Sequence, residues 1–200
     1  MKKVAINGLG RIGRLALRHY LLERPRHFEI VAANDLTPAD EMAYLIRYDS
    51  VHGRAPFPVA AGDGVLSFGD ASVKLSAEKD PSKLPWKSLG VDYVIECTGR
   101  FTKKEAASKH IEAGAKRVII SAPAGDADIT IVLGVNDAEY DPAKHVVVSN
   151  ASCTTNSIAP VIKVLDEAFG VDYFMATTIH AYTATQTIVD TPVGDRKSVV

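Results

Sequence analysis

Short apolar runs alternate with amphipathic stretches along most of this 200-residue chain. Residues 3–7 and 28–33 are apolar runs of strand length, and the stretch between them repeats its apolar residues at helical spacing. The alternation returns after residue 90, where strands are predicted over 91–96 and 117–121 and a helix over 102–113. Strands that alternate with helices build a mainly parallel sheet with helices on both faces. The pattern therefore predicts an α/β fold with a doubly wound sheet.

Two parts of the chain depart from this alternation. Between residues 55 and 76, short stretches of alternating apolar and polar residues are separated by Gly-Asp pairs, which predicts antiparallel hairpins. Near Cys153 a new unit begins with a helix predicted over 156–169. Its apolar residues recur at helical spacing, at Ile158, Val161, Ile162, Leu165 and Phe169. We therefore place one domain at residues 1–150 and the start of a second at residues 151–200.

Composition narrows the classes of function. Apolar residues make up 46% of the chain and charged residues 24%, which is ordinary for a globular protein, and the net charge is −1. Nucleic-acid binding normally needs a basic excess, and a membrane span needs about 20 apolar residues, so we expect neither partner. Two cysteines cannot build a disulfide framework, and no Cys/His spacing indicates a metal site. The basic start lacks the long apolar segment of a signal peptide, and we expect a cytoplasmic protein.

A glycine motif follows the first predicted strand. Gly8, Gly10 and Gly13 have the G-x-G-x-x-G spacing and open a predicted helix, the context in which this motif binds a dinucleotide. The first glycine allows a sharp turn, the second lets a diphosphate approach, and the third lets the helix pack closely on the strand. Asp35, 22 residues beyond Gly13, ends the second strand, where a carboxylate accepts hydrogen bonds from ribose hydroxyls. A 2′-phosphate would be repelled there, so a Rossmann-type NAD site is favoured over an NADP site. The alternative is a glycine turn with a helix cap at Asp35.

The second chemical signal is Cys153. It lies between hydroxyl and amide side chains at the start of the helix of the second unit, where backbone N–H groups and the helix dipole stabilise a thiolate. An apolar run over residues 173–179 ends at His180, a candidate base for this thiol. The alternative is a buried structural cysteine. A thiolate that adds to an aldehyde forms a thiohemiacetal, which is a good hydride donor, so a cysteine and a nicotinamide cofactor are complementary parts of one reaction.

These residues carry a resemblance to the phosphorylating, NAD-dependent glyceraldehyde-3-phosphate dehydrogenases. The resemblance covers nearly the whole chain, and its cysteine motif is highly specific. The erythrose-4-phosphate dehydrogenases share most of these motifs. The matching segments are residues 4–14, 34–36, 48–53, 96–99, 121–123, 134–136, 149–156 (Ser-Asn-Ala-Ser-Cys-Thr-Thr-Asn) and 180–186 (His-Ala-Tyr-Thr-Ala-Thr-Gln).

The resemblance implies roles for individual residues. Cys153 is the expected nucleophile, and His180 is the expected activating group and proton acceptor. The expected cofactor is NAD, the expected substrates are glyceraldehyde 3-phosphate and inorganic phosphate, and the full-length protein is expected to be a homotetramer. The residues expected at the cofactor are Gly8, Gly10, Arg11, Ile12 and Gly13 near the diphosphate, Asp35 at the adenosine ribose, Lys79 near the adenine, and Ser121. Those expected at phosphate groups are Ser152 and Thr154 for the attacking phosphate and Thr183 for that of the substrate.

Three departures from the family qualify these expectations. Ser157 stands where many members have a second cysteine, and residues 190–200 depart from the family's arginine-rich loop. The family also continues well past residue 200, so residues 151–200 are expected to be only the N-terminal part of an α+β catalytic domain. The full-length protein is expected to convert glyceraldehyde 3-phosphate to 1,3-bisphosphoglycerate. The alternatives are an erythrose-4-phosphate dehydrogenase and an NAD-binding fragment without turnover.

Overall fold

The fold centres on a nine-stranded sheet in this computed structural model, which describes residues 1–183. The strands are β1 (Lys2–Asn7), β2 (Phe28–Asn34), β3 (Tyr48–Asp49), β4 (Gly53–Arg54), β5 (Ala60–Gly62), β6 (Val65–Phe68), β7 (Ala71–Ser76), β8 (Tyr93–Glu96), β9 (Arg117–Ile120), β10 (Ile129–Thr130) and β11 (Val147–Ser149). Their order in the sheet is β10-β11-β9-β8-β1-β2-β7-β6-β5, while β3 and β4 form a separate two-stranded ribbon.

Most of this sheet is parallel. All pairs from β10 across to β7 are parallel, as the alternation of strands and helices predicts. Beyond β7, the strands β6 and β5 add in antiparallel fashion, which confirms the hairpins predicted over residues 55–76. Strand β1 lies between β2 and β8, so the chain crosses to opposite sides of it. In sheets of this kind a crevice opens at the carboxyl ends of the strands where the order reverses.

Within residues 1–183, five α-helices accompany the sheet. They are α1 (Arg11–Glu23), α2 (Ala39–Arg47), α3 (Trp86–Leu89), α4 (Lys104–Glu112) and α5 (Cys153–Phe169). Helix α5 begins three residues before its predicted start. The reason is a side-chain cap, because the Oγ of Ser152 accepts a hydrogen bond of 2.9 Å from the N–H of Thr155.

The core lies on both faces of the sheet. Alternate residues of β1 point to opposite faces, so Ile6 packs in a cluster with residues of α1 and α2, whereas Ala5 packs in a second cluster with Trp86. A third cluster, which includes Val118, lies near α4. Helix α5 differs, since it contributes no buried residue and Phe169 is 84% exposed. The second unit thus presents an apolar surface to solvent.

Within residues 1–183, no helix combines the length and the apolar character that crossing a bilayer requires. Residues 184–200, including the segment 190–200 that departs from the family's arginine-rich loop, lie outside the described residues.

Candidate functional site

The three motif glycines meet different surroundings. Gly8 has a φ of +90°, and a Cβ built on it would lie 2.7 Å from the backbone nitrogen of Thr98. A Cβ on Gly13 would lie 2.0 Å from the carbonyl oxygen of Gly8, which means that α1 packs directly on the turn. A Cβ on Gly10 would meet nothing within 4 Å. The first and third glycines are therefore required by packing, whereas the second faces open space that a ligand could enter.

The start of α1 suits an anion. Gly10 is the N-cap residue and forms no side-chain cap, and the first turn contains no acidic side chain. The backbone N–H groups of a first helical turn have no partner within the helix, and the helix dipole favours negative charge there. Together with the open space at Gly10, this end of the helix fits the diphosphate of a dinucleotide.

A cleft of about 580 Å³ opens in front of this turn, within the range of small-molecule sites. Asp35 and Lys79, the residues expected at the adenosine ribose and near the adenine, both line it. One oxygen of Asp35, Oδ2, accepts a hydrogen bond of 2.6 Å from the N–H of Leu9, and Oδ1 accepts one of 2.9 Å from Thr37. A carboxylate can accept about four hydrogen bonds, so Asp35 retains capacity for ribose hydroxyls. The residues around the cleft are Asn7, Gly8, Leu9, Gly10, Arg14, Asn34, Asp35, Leu36, Thr37, Glu78, Lys79, Cys97, Thr98, Arg100 and Phe101.

Four predicted cofactor residues lie outside the lining of this cleft, and one of them, Gly13, packs against the carbonyl of Gly8. The guanidinium of Arg11 forms an ion pair with Asp49. Burial acts to raise the pKa of Asp49, but the N–H groups of His52 and Val51 and the Arg11 guanidinium outweigh it and lower that pKa. The side chain of Arg11 therefore contacts Asp49, which does not line the cleft, and the backbone N–H of Arg11 lies in the first turn of α1.

Ile12 and Ser121 are the last two of the four. Ile12 is 56% exposed on α1, with its N–H in the first helical turn. Ser121 follows β9 and forms a hydrogen bond with the thiol of Cys97, a residue of the cleft. Ile12 thus lies two residues from Gly10 and Arg14 of the cleft, whereas Ser121 reaches the cleft only through its contact with Cys97.

Several residues that line the cleft are not among the predicted site residues. Asn7 ends β1, Asn34 ends β2, and Thr98 lies two residues beyond the end of β8. The signal was present, because each is a polar residue at the carboxyl end of an apolar strand, and in a parallel sheet those ends meet at one edge.

A short turn places Cys153 at the first position of α5. Strand β11 ends at Ser149, whose buried hydroxyl donates to the carbonyl of Ala122 and accepts from the N–H of Ala151. Ala151 adopts a left-handed conformation with a φ of 58°, which is unfavourable for a residue with a Cβ. Ser152 then caps the helix. The strained turn and the cap together fix where the sulfur leaves the backbone.

The structure brings Cys153 and His180 together, as predicted. The Sγ of Cys153 lies 3.2 Å from Nε2 of His180, and Nδ1 of His180 lies 2.6 Å from the carbonyl oxygen of Ala181. Since a carbonyl oxygen only accepts, Nδ1 carries a proton, and Nε2 of the neutral ring is left to receive the proton of the thiol. The contact with His180 lowers the pKa of the Cys153 thiol, and the Ala181 carbonyl followed by the Cys153 sulfur raises the pKa of His180. Both shifts favour a thiolate–imidazolium pair.

The second cysteine has the opposite character. Burial raises the pKa of the Cys97 thiol to about 12, so it is a thiol at neutral pH. Cys97 packs against the main core cluster as a partly buried residue, and the alternative of a buried structural cysteine does not apply to Cys153, which is exposed.

An open cleft of about 640 Å³ lies beside the Cys153 sulfur. It is lined by Cys153, Thr154, Ser157, Ile158, Val161 and residues 175–181. The predicted phosphate ligands differ in their surroundings. Thr154 lines this cleft, the Oγ of Ser152 is engaged with Thr155, and Thr183 is exposed outside the lining. Among residues 1–183, no group of three or more His, Cys, Asp or Glu side chains is arranged to hold a metal ion.

Two family models match the parts of the chain that contain the two clefts. Residues 2–104 match the family model described as glyceraldehyde 3-phosphate dehydrogenase, NAD binding domain. Residues 152–199 match the model described as the C-terminal domain of the same family. The first match contains the glycine turn and its cleft, and the second contains Cys153 and His180. The N-terminal part is thus an NAD-binding domain of the Rossmann type.

Curated proteins from several bacteria are similar over nearly the whole chain. A glyceraldehyde-3-phosphate dehydrogenase of Geobacillus stearothermophilus is 54% identical over 193 residues, which cover 96% of this chain and 57% of that protein. That of Chlamydia pneumoniae is 54% identical over 191 residues, covering 95% of this chain and 56% of that protein. Glyceraldehyde-3-phosphate dehydrogenase 1 of Bacillus subtilis (strain 168) is 53% identical over 193 residues, covering 96% and 57%. The chain therefore spans rather more than half the length of these relatives, and it belongs to the glyceraldehyde-3-phosphate dehydrogenase family.

Proposed function

We propose that the full-length protein is an NAD-dependent phosphorylating dehydrogenase that converts glyceraldehyde 3-phosphate to 1,3-bisphosphoglycerate. The observation that carries the proposal is the contact of 3.2 Å between the Cys153 sulfur and His180 at the start of α5, in the same chain as an NAD-binding domain. A nucleophilic cysteine with an adjacent base is what aldehyde oxidation through a thioester requires.

The cofactor site is proposed around the glycine turn. The first-turn N–H groups, including those of Arg11, Ile12 and Gly13, bind the diphosphate, and Gly8 and Gly10 let it approach. Asp35 accepts hydrogen bonds from the adenosine ribose, and Lys79 lies toward the adenine. Ser121 reaches the cofactor beside Cys97. Residues 1–150 form this domain, and the catalytic domain begins at residue 151.

The reaction begins with proton transfer from Cys153 to Nε2 of His180. The thiolate then adds to the aldehyde carbon, and the new alkoxide, held by the backbone N–H at Cys153, takes the proton back from the His180 imidazolium to give a thiohemiacetal and a neutral imidazole. His180 next withdraws the hydroxyl proton as hydride leaves the same carbon. NAD, when bound, is the acceptor of that hydride, so that the carbon becomes a thioester. An oxygen of inorganic phosphate attacks the thioester carbonyl, the C–S bond breaks, and Cys153 returns as a thiolate.

The phosphate sites are proposed at the hydroxyl side chains near the sulfur. Ser152 and Thr154 bind the attacking phosphate, and Thr183 binds the phosphate of the substrate. The exposed Thr154 at the first turn of α5 supports this, since that turn also offers N–H groups to an anion. The full-length protein is proposed to be a cytoplasmic homotetramer, and the two free cysteines of this chain, Cys97 and Cys153, are compatible with a reducing compartment.

A chimera tests the proposed activity. The 200 residues are joined to the part of the Geobacillus stearothermophilus enzyme that lies beyond the matched region, and NADH formation is followed spectroscopically. We expect NADH only when aldehyde, NAD and phosphate are all present, a faster rate with glyceraldehyde 3-phosphate than with erythrose 4-phosphate, and none with Cys153→Ser. A faster rate with erythrose 4-phosphate would favour that alternative. A chimera that folds and binds NAD but forms no NADH would leave only NAD binding for these 200 residues.

A further inference from the structure

A network of buried polar side chains lies beneath the dinucleotide cleft, and the proposed chemistry uses none of it. Its centre is Glu96, at the end of β8, which is 1% exposed. The Oε2 of Glu96 lies 3.0 Å from Nε2 of His110, a residue of α4 with no exposed surface. Burial of a carboxylate is strongly unfavourable unless hydrogen-bond donors satisfy its oxygens. The hydrogen-bond partners of Glu96 and His110 therefore indicate the role of the pair.

The proton positions in the pair follow from Trp86. The indole N–H of Trp86 can only donate, and it lies 3.0 Å from Nδ1 of His110, so Nδ1 is an acceptor. Nε2 then carries the ring proton and donates it to Glu96. A second proton on the imidazole would oppose the N–H of Trp86. His110 is therefore neutral, and the contact with Glu96 is a hydrogen bond to a carboxylate in place of an ion pair.

Three further donors complete the coordination of Glu96. Its Oε2 accepts a hydrogen bond of 2.6 Å from Nδ2 of Asn7, and its Oε1 accepts one of 2.7 Å from the N–H of Thr98. The hydroxyl of Thr98 also donates to Oε1, because its oxygen is occupied as an acceptor by the N–H of Arg100. Asn7 and His110 converge on the same oxygen, with 3.4 Å between their nitrogens. Four donors thus hold the carboxylate in one orientation.

The network reaches the cleft along two routes. On one, the Oδ1 of Asn7 accepts from Nδ2 of Asn34 at 2.8 Å, and the amide of Asn34 binds both the N–H (2.8 Å) and the carbonyl (2.9 Å) of Glu78. This fixes the loop that carries Lys79. On the other route, the N–H of Thr98 held by Glu96 is the atom that packs against Gly8, where a Cβ would lie 2.7 Å away. His110 and Trp86 do not line the cleft, whereas Asn7, Asn34, Glu78 and Thr98 do.

We propose that Glu96 and His110 are positioning residues for the dinucleotide. His110 orients the carboxylate of Glu96, and Glu96 in turn sets Thr98 under the glycine turn and Asn7 beside the adenosine loop. The proposal rests on the dinucleotide site proposed above. Hydrogen-bonded networks of this kind act as a unit, so loss of one buried donor is felt at the far end of the chain of contacts. The affinity for NAD is the quantity that they set.

Two substitutions of His110 separate positioning from general stability. Asn at this position keeps an acceptor near the place of Nδ1, for Trp86, and loses the donor to Glu96, whereas Gln keeps a donor near the place of Nε2 and loses the acceptor. The NAD dissociation constant of the 200-residue chain is measured by calorimetry, and folding by thermal unfolding. We expect His110→Asn to weaken NAD binding by about tenfold, which corresponds to about 1.4 kcal/mol. His110→Gln should stay close to the wild-type affinity.

Fluorescence verifies which contact each variant has lost, because Trp86 is the only tryptophan of the chain. The emission of Trp86 should be unchanged in His110→Asn, which loses NAD affinity, and should change in His110→Gln, which keeps it. A control, Val118→Ala, weakens the core of the same sheet at a residue whose side chain forms no hydrogen bond of the network. Equal NAD affinity in all variants, or weakening that follows the melting temperature and includes Val118→Ala, would overturn the positioning role.

A double-mutant cycle tests whether His110 acts through Glu96. Glu96→Gln places an amide N–H₂ group where a carboxylate oxygen accepts hydrogen bonds from its donors. We expect this substitution to weaken NAD binding at least as much as His110→Asn does. The double variant should bind no more weakly than Glu96→Gln alone, whereas additive effects would overturn the route through Glu96. Should Glu96→Gln fail to fold, the His110 pair decides, and failure of that pair to fold overturns the proposal in favour of a purely structural role. Absence of NAD binding by the wild-type chain would overturn the proposed site and this inference with it.

Discussion

The sulfur of Cys153 and Nε2 of His180 lie 3.2 Å apart, although 27 residues separate them in the chain. The cysteine is held by the capped start of α5, and the histidine is oriented by the carbonyl of Ala181. This relationship lowers the pKa of the thiol and raises that of the imidazole, and so it favours a thiolate near neutral pH. Reactivity of the thiol is therefore the most direct measure of the site.

Alkylation should occur at Cys153 and not at Cys97. Only thiolates react appreciably, and the pKa of Cys153 is lowered whereas that of Cys97 is raised to about 12. The labelling rate at Cys153 should rise with pH and reach its midpoint below the ordinary pKa of a thiol. His180→Asn should move this midpoint upward and slow labelling at pH 7 severalfold. Iodoacetamide treatment followed by peptide mapping gives the rates, with Cys153→Ser as the control, and preferential labelling of Cys97 would contradict the assignment.

Asp35 should make the protein prefer NAD over NADP. Its carboxylate lines the cleft, and a 2′-phosphate bound beside it would be an unpaired like charge. Asp35→Asn should narrow the ratio of the two dissociation constants by about tenfold, or about 1.4 kcal/mol. Because Asp35 also accepts from Leu9, NAD binding itself should weaken, so the ratio is the quantity to compare. Asp40→Asn removes an exposed carboxylate of α2 and should leave the ratio unchanged; equal wild-type binding of NAD and NADP would exclude the role.

Alanine at Gly13 should lower the stability of the fold, whereas alanine at Gly10 should lower the affinity for NAD. A Cβ at Gly13 would lie 2.0 Å from the carbonyl oxygen of Gly8, so Gly13→Ala should lower the free energy of unfolding by about 3 kcal/mol, at the upper end of overpacking effects. Gly10 has a φ of −66° and open space around it. The free energy of unfolding of Gly10→Ala should therefore lie within about 1 kcal/mol of the wild-type value. Its NAD affinity should nevertheless fall, since the methyl group enters the place of the diphosphate. Denaturant unfolding and calorimetry test both, and a Gly10→Ala chain with wild-type affinity would move the diphosphate elsewhere.

The 200-residue chain should associate and should have little dehydrogenase activity. Helix α5 buries none of its residues, and Val164 and Phe169 are 64% and 84% exposed. Large apolar patches on a surface favour association. Catalysis depends on the position of the nucleophile, and a shift of about 1 Å costs about a hundredfold in rate. Sedimentation should show concentration-dependent oligomers, which Val164→Lys with Phe169→Lys should reduce; a monomer with NADH formation at rates typical of enzymes would contradict this expectation.

Local patterns in the sequence were enough for the first domain. Apolar runs at strand spacing and amphipathic stretches at helical spacing specify the β1-α1-β2 unit, and Gly8, Gly10 and Gly13 mark its turn because each does a task that a side chain would prevent. The start of α5 was placed three residues too late for an equally local reason. Ser152, Thr154 and Thr155 are poor residues in a helix interior, yet the same hydroxyl groups cap a helix well once its first turn forms.

Periodicity in the sequence determined which residues face inward, and so it determined the layers of the fold and the chemistry available at the strand ends. Only the tertiary structure decided which of those side chains meet. Asn7 and Glu96 are 89 residues apart and share a hydrogen bond because β1 and β8 are neighbours in the sheet. The guanidinium of Arg11, on α1, contacts Asp49 of β3, which is 38 residues away in the chain. The face on which a residue lies follows from the local spacing of apolar residues and does not depend on other elements. The long-range partner of a side chain, in contrast, depends on the strand order and on the packing of the elements in between.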